Sequence, residues 1–262
     1  MSDTTYLLAM ETKSTPSSDQ RGKKVTVKPR VEYIARTSDC WLQVKLGGEL
    51  IVSLPYGLKV KRLETQAGRE FFEIMEGVYK GNKASVVLRP GNSYLTTKIT
   101  HRPAASVQFD RKSQMFYFAG RGPYNAFSGG GHRGFTAVAS GTYQLAIPAY
   151  PSAQTRPAYS TWTRYHNIWF PIGIDTSGSR FLHAGIISDG CVTVRQFIYD
   201  PALGVEPPPG FVDLFEAANG EPGLLGLPLP TKSAPVVGWD DVFEALILCR
   251  LNDQAVGTLI VT

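Results

Sequence analysis

The chain has 262 residues, of which 43% are hydrophobic, 19% charged and 11% aromatic; that balance excludes a disordered or collagen-like polymer and suffices for one large packed domain or two modest ones. The formal net charge of +5 is spread out, apart from a short cluster at Arg21, Lys23, Lys24, Lys28 and Arg30. This is less than the basic footprint that nucleic acid demands, so no nucleic-acid partner is expected. Three cysteines at wide spacing and four scattered histidines argue against a disulfide framework or a metal centre, and no cofactor is expected.

In chain order, residues 1–24 are polar, without periodicity, and read as a flexible leader. Their start has only a four-residue apolar stretch and no charged leader, which predicts synthesis in the cytoplasm without a secretory signal. No run of 18 apolar residues occurs, so no membrane span is expected. Strand signals begin at Val25. They cover 24–27, 31–35, 41–46, 49–54, 58–63, 71–75 and 83–88, with turns at Gly47-Gly48, Pro55-Tyr56-Gly57, Ala67-Gly68 and Lys80-Gly81-Asn82. Such spacing predicts a small β module over 25–100. The stretch Leu54-Pro55-Tyr56-Gly57-Leu58-Lys59-Val60, with 71–75 and Lys80-Gly81-Asn82-Lys83, loosely resembles a bacterial SH3-like module; an extra β-layer on the main domain is the competing reading.

Pro90-Gly91-Asn92 and Arg102-Pro103 bracket a boundary, and a second domain is expected over 101–262. A hairpin is predicted from 106–110 and 115–119, then a glycine-rich loop over 120–134 and a strand over 136–147. Residues 148–160 read as connection, and 167–174 and 180–187 as apolar strands. A Pro/Gly-rich insertion spans 201–240, with a short helix at 212–218. Apolar residues at helical spacing predict a helix over 239–248, opened by Asp240-Asp241, and 256–261 closes on a strand. The overall expectation is a mainly β protein with one or two short helices. Gly (26) and Pro (18), together about a sixth of the chain, favour the same reading.

Chemistry concentrates in Arg180-Phe181-Leu182-His183-Ala184-Gly185-Ile186-Ile187-Ser188-Asp189-Gly190-Cys191-Val192-Thr193-Val194-Arg195. An apolar strand delivers His183, a polar turn follows, and Cys191 opens the next apolar run. A thiol nucleophile needs its thiolate, and a nearby imidazole is the usual means of forming one near neutral pH. Backbone amides at Gly190 and Cys191 could face a developing oxyanion, and Arg195 could hold a carboxylate. On spacing alone the segment is also compatible with a buried inert cysteine and a structural histidine.

The same segment resembles the catalytic motif of the L,D-transpeptidases, the YkuD-type cysteine enzymes. His183-Ala184-Gly185 matches their first element and Ser188-Asp189-Gly190-Cys191-Val192 their second. Upstream, Thr136-Ala137-Val138-Ala139-Ser140-Gly141-Thr142-Tyr143 and the hairpin from Val107 to Phe118 resemble the family's flanks, so the likeness covers about 104–200 and the closing strand. The resemblance implies a β-sandwich or barrel catalytic domain acting on peptidoglycan stem tetrapeptides. Cys191 would be the nucleophile and His183 the base; Gly190 would belong to the oxyanion site. Ser188 would orient His183 or bind substrate, and Arg195 would hold a stem carboxylate. Asp189 stands where the family has a second histidine, Arg195 lies four residues after the cysteine instead of two, and only seven residues separate His183 from Cys191. These departures resemble the transpeptidase-like toxins that bacteria inject into rivals, which implies action in the periplasm or wall of a target cell and an immunity protein or secretion component as partner.

Other residues are expected at the margins. Tyr159, Trp162, Tyr165 and Trp169 are candidates to line a substrate groove, against a core role for aromatics on strands. His166 is an alternative base or a rim histidine. The loop Gly129-Gly130-Gly131-His132-Arg133-Gly134 lacks a P-loop Lys-Ser/Thr and is expected near the cleft. Cys40 and Cys249 are expected to be buried. A non-catalytic cell-wall-binding protein and a papain-like cysteine peptidase are the competing functions.

Overall fold

Alternation sets the first sheet. Along Trp41–Leu46, Leu42 and Val44 are buried while Gln43 and Lys45 are exposed, as period-2 pleating requires. The computed structural model describes residues 25–89, 91–118, 121–129, 136–153, 163, 165–173, 180–185, 188, 190–195 and 238–262. The leader, the 212–218 helix, residues 130–134, Tyr159, Trp162, Asp189 and nearly all of the 201–240 insertion lie outside the described residues.

Seven antiparallel strands form the first sheet: β1 (Val25–Ile34), β2 (Trp41–Leu46), β3 (Leu50–Pro55), β4 (Lys59–Gln66), β5 (Arg69–Ile74), β6 (Lys83–Val87) and β7 (Leu95–Thr96). Their order is β3-β2-β6-β5-β4-β1-β7. The two-residue loop between β4 and β5 puts both Ala67 (φ 50°) and Gly68 (φ 72°) at positive φ, the pairing whose twist suits a hairpin. Segments 24–27 and 31–35, read as two strands, are one strand. Its register shifts between Thr26 and Arg30, an irregularity that accommodates Pro29, which has no amide to give the ladder.

After the short β8 (Arg102–Pro103), the second sheet is built from β9 (Ala105–Asp110), β10 (Met115–Phe118), β11 (Arg121–Phe127), β12 (Gly141–Ala146), β13 (Phe170–Pro171), β14 (Phe181–Ala184), β15 (Val192–Val194) and, at the end of the chain, β17 (Ala255–Val261). Two-residue β16 (Cys249–Arg250) pairs in parallel with β8. The eight strands run β12-β17-β9-β10-β11-β15-β14-β13. A bridge between Leu145 and Ile172, with Gly173 N–H donating to Gln144 O at 2.8 Å, brings the outer strands together, so the sheet is nearly closed and barrel-like. The protein is therefore mainly β, with one helix among the described residues, α1 (Trp239–Leu246).

Three other strand expectations are corrected. Residues 121–127, expected in the glycine-rich loop over 120–134, form β11 between β10 and β15. The 136–147 strand shrinks to β12. The 167–174 strand shrinks to β13, because the chain before it closes a turn, with Ile168 N–H donating to Tyr165 O at 3.1 Å.

The two faces of β11, β15 and β14 do different work. Tyr124, Ala126, Val194, Val192, Leu182 and Phe170 follow one another across the strands on the face toward α1. There Phe170 meets Trp239 edge to face at 6.0 Å, and the Tyr124 hydroxyl bonds Asp241. The opposite face carries Phe127, Thr193, His183 and Phe181. One contiguous apolar core runs through both sheets. Buried Glu76, after β5, accepts from Arg250 Nε (3.0 Å) and Nη2 (2.8 Å), and His101 Nε2 meets Gly57 O at 2.8 Å.

Candidate active site

The short β14 and β15 are parallel, with Leu182 opposite Val192 and His183 opposite Thr193. β15 is all β-branched and β14 is apolar apart from His183, and neither has an exposed position, as strands covered on both faces must have none. Cys191 immediately precedes β15, and strand alternation carried one residue back puts it on the side of Thr193 and His183. The register therefore puts the histidine and cysteine expected from the sequence on one strand face, and adds a threonine directly across from the histidine.

His183 is 1% exposed and held on three sides. Nδ1 lies 2.6 Å from Ala184 O. A carbonyl only accepts, so Nδ1 carries the hydrogen. Nε2 lies 3.3 Å from Thr193 Oγ1, and the ring stacks on Trp169 at 4.1 Å with 14° between planes. Burial pulls His183 down to about 4, only partly opposed by the Ala184 hydrogen bond. At neutral pH the imidazole is thus uncharged, with the Nε2 lone pair as its proton-accepting atom. Cys191 is 5% exposed.

The turn before Cys191 is fixed from behind. Gly190, at φ 83°, donates its amide to Gly129 O at 3.1 Å, and the Ser188 hydroxyl donates to Cys191 O at 2.7 Å. Both findings correct expectations. The Gly190 amide, expected to face an oxyanion, is spent on the chain itself, and Ser188, expected to orient His183 or meet substrate, closes the turn onto Cys191. Gly129 approaches so closely that a Cβ there would lie 2.4 Å from Ser188 O.

The expected substrate-binding residues separate into two groups. Trp169 belongs to the site: besides covering His183 it meets Phe181 edge to face at 5.5 Å, and its indole donates to His166 O at 2.8 Å. With Ala149, Tyr150, Ser152, Ala153, Pro171 and Phe181 it also lines a cavity of about 260 Å³. Tyr165 instead packs its ring on Phe243 of α1 at 4.0 Å. Its hydroxyl donates to Glu244 at 2.7 Å and receives Arg36 at 3.3 Å, a junction between α1 and the first sheet. His166 directs Nδ1 to Thr163 O at 3.2 Å. Arg195 follows β15, with its guanidinium 5.2 Å from the centre of the Phe127 ring; burial lowers its proton affinity from the usual value. Cys40 and Cys249 are buried, and burial pushes the Cys249 thiol up.

The sequence reading gives no role to Thr193, and it places the loop that begins at Gly129 near the cleft without assigning Gly129 a contact. The signal for Thr193 was a hydroxyl two residues after the cysteine on the same strand face, visible only once the strand partner is known. For Gly129 the glycine-rich run gives the neighbourhood, but its close approach to Ser188 and Gly190 shows only in the fold. Among the described residues, no group of three or more His, Cys, Asp and Glu side chains could hold a metal ion, and no helix is long and apolar enough to cross a membrane. Compared with known proteins, the chain matches no family model, no curated protein and no solved structure.

Proposed function

We propose that the protein is a cysteine-dependent acyltransferase, an L,D-transpeptidase or L,D-carboxypeptidase acting on peptidoglycan stem tetrapeptides. The observation that carries this reading is the β14–β15 register. It sets a neutral imidazole, Nδ1 tied to Ala184 O, on the strand face where Cys191 enters. Nε2 takes the Sγ proton and the thiolate adds to the carbonyl of stem residue three. The C–N bond to D-Ala breaks as the imidazolium returns that proton to the leaving amine, and a thioester remains. His183 then takes a proton from an acceptor amine or water, which attacks the thioester and frees the thiol.

On this reading the eight-stranded sheet is an L,D-transpeptidase-like catalytic domain and the seven-stranded sheet an SH3-like module. The short His183–Cys191 spacing and Asp189 in place of a second histidine favour the toxin branch. Its site of action is then the periplasm or wall of a target cell, and its partner an immunity protein or secretion component.

One observation favours a second reading, a non-catalytic wall-binding protein: His183, stacked under Trp169, and Cys191 are both closed to water. Mass spectrometry of tetrapeptide-stem muropeptides, incubated with the protein or with Cys191→Ala, separates the two. Loss of D-Ala, exchange with added D-Met, or a 3–3 dimer, each absent in the variant, supports the enzyme. Unchanged stems in both samples, with retention on sacculi, support the binding protein.

A further inference from the structure

We propose that Thr193 is a positioning residue for His183: its hydroxyl donates a hydrogen bond to Nε2 at rest and accepts one from Nε2–H once the ring is charged. The catalytic consequence rests on the thiol reading above, whereas the hydrogen bond rests on geometry alone.

The parallel register sets Thr193 directly across from His183, with Oγ1 3.3 Å from Nε2. Thr193 is fully buried and His183 nearly so, so water is not an alternative partner at that edge. With Nδ1–H committed to Ala184 O, the neutral ring can only accept at Nε2, and the threonine hydroxyl is the donor. A hydroxyl differs from an amide in that it also has lone pairs and can rotate. When Nε2 takes the thiol proton, the same oxygen can turn and accept from Nε2–H without backbone movement. A hydrogen bond to a charged donor is about twice as strong as a neutral one, so the hydroxyl favours the imidazolium overall. Trp169 on the ring face completes the clamp.

The titratable and charged groups on the elements packed against His183 are, among the described residues, Cys191 and Arg195 beside β15, Arg180 ahead of β14 and His166 ahead of Trp169. None is a carboxylate, and burial dominates the titration of His183. Thr193 is the neutral acceptor that meets the nitrogen that gains the proton.

The test compares Thr193→Val, which keeps shape and β-propensity, with Thr193→Ala and Thr193→Ser. Long-range ¹H–¹⁵N NMR reads the state of His183 Nε2, and iodoacetamide reads the Cys191 thiolate; neither requires a muropeptide. Thr193→Val and Thr193→Ala are expected to shift the Nε2 resonance, move His183 protonation to lower pH and slow Cys191 alkylation at least tenfold. Thr193→Ser restores all three. Wild-type resonance and alkylation in the folded Val and Ala variants overturn the proposal and leave Thr193 a packing residue. If these readouts respond but the wild type processes no stem peptide, the positioning role stands and the peptidoglycan reading fails.

Discussion

The Gly190 amide donates to the carbonyl of Gly129 at 3.1 Å, across a gap that has no room for a side chain on Gly129. The turn leading to Cys191 is thereby braced by a segment more than fifty residues earlier in the chain. A methyl group at 129 meets backbone oxygen, which cannot rotate away as a flexible side chain would. Gly129→Ala should therefore cost about 1–3 kcal/mol, the usual range for overpacking. It should also slow Cys191 alkylation, because the turn that sets the cysteine must shift. Urea unfolding and iodoacetamide kinetics check this; a variant as stable and as reactive as wild type removes Gly129 from the site.

Acid should reach the protein through His183. Its proton affinity is lowered in the folded state, to about 4 from the ordinary 6.5, so the unfolded chain binds a proton that the folded chain refuses. The stabilisation is fully present above pH 6.5 and is lost as pH falls to about 4. The span of roughly 2.5 units corresponds to about 3 kcal/mol. His101, also lowered by burial and by Arg250, acts in the same direction. Urea midpoints measured from pH 7 to pH 4 should fall less steeply in His183→Gln than in wild type. Parallel curves would mean that His183 is accessible to protons in the native state.

Much of the first sheet was legible because its signals are local. Gln43 and Lys45 alternate with Leu42 and Val44, and Ala67-Gly68 supplies the turn that a two-residue hairpin needs. The failures lie where partners decide. Gly122 and Pro123 look like loop residues, yet β11 forms because Met115 pairs with Asn125 and Ala126 with Val194. At the site, His183 and Cys191 stood out as reactive types close in sequence, whereas Thr193 looked like any strand-forming residue. Ser188 and Gly190 were noticed for the right segment but the wrong task, since hydrogen-bond direction depends on the fold. Tyr165 was marked as an aromatic near a cleft, and only the packing of α1 reveals that Glu244 and Arg36 occupy its hydroxyl.

A buried ion pair ties the segment after β5 to β16, and its removal should be costly. Glu76 Oε1 accepts from the Lys59 amide at 2.8 Å and from two nitrogens of Arg250, and His101 stands 3.6 Å away. The Glu76 side chain is 3% exposed and that of Arg250 9%, so neither charge can turn to water. Arg250→Met keeps the aliphatic stem but strands the carboxylate, for which about 3–5 kcal/mol is the expected loss. Replacing both with Glu76→Leu and Arg250→Met should recover part of it, because no lone charge then remains. Urea unfolding of the single and double variants checks this; equal losses in both would assign the effect to packing.

Trp169 should control access to the histidine. Its indole is pinned to His166 O, lies flat on His183 and also walls the cavity of about 260 Å³. In Trp169→Ala the cavity and the histidine pocket become continuous, and water reaches the imidazole. Since burial is what holds His183 near 4, its protonation should move up toward 6.5, read by NMR titration. Cys191 should then react faster with a bulky maleimide relative to iodoacetamide, because the size filter is gone. If protonation stays near 4 while the maleimide ratio rises, Trp169 screens the thiol alone and the desolvation of His183 comes from the sheet beneath it. If neither changes, the indole is not the cover, and substrate must approach from the side of Phe127 and Arg195.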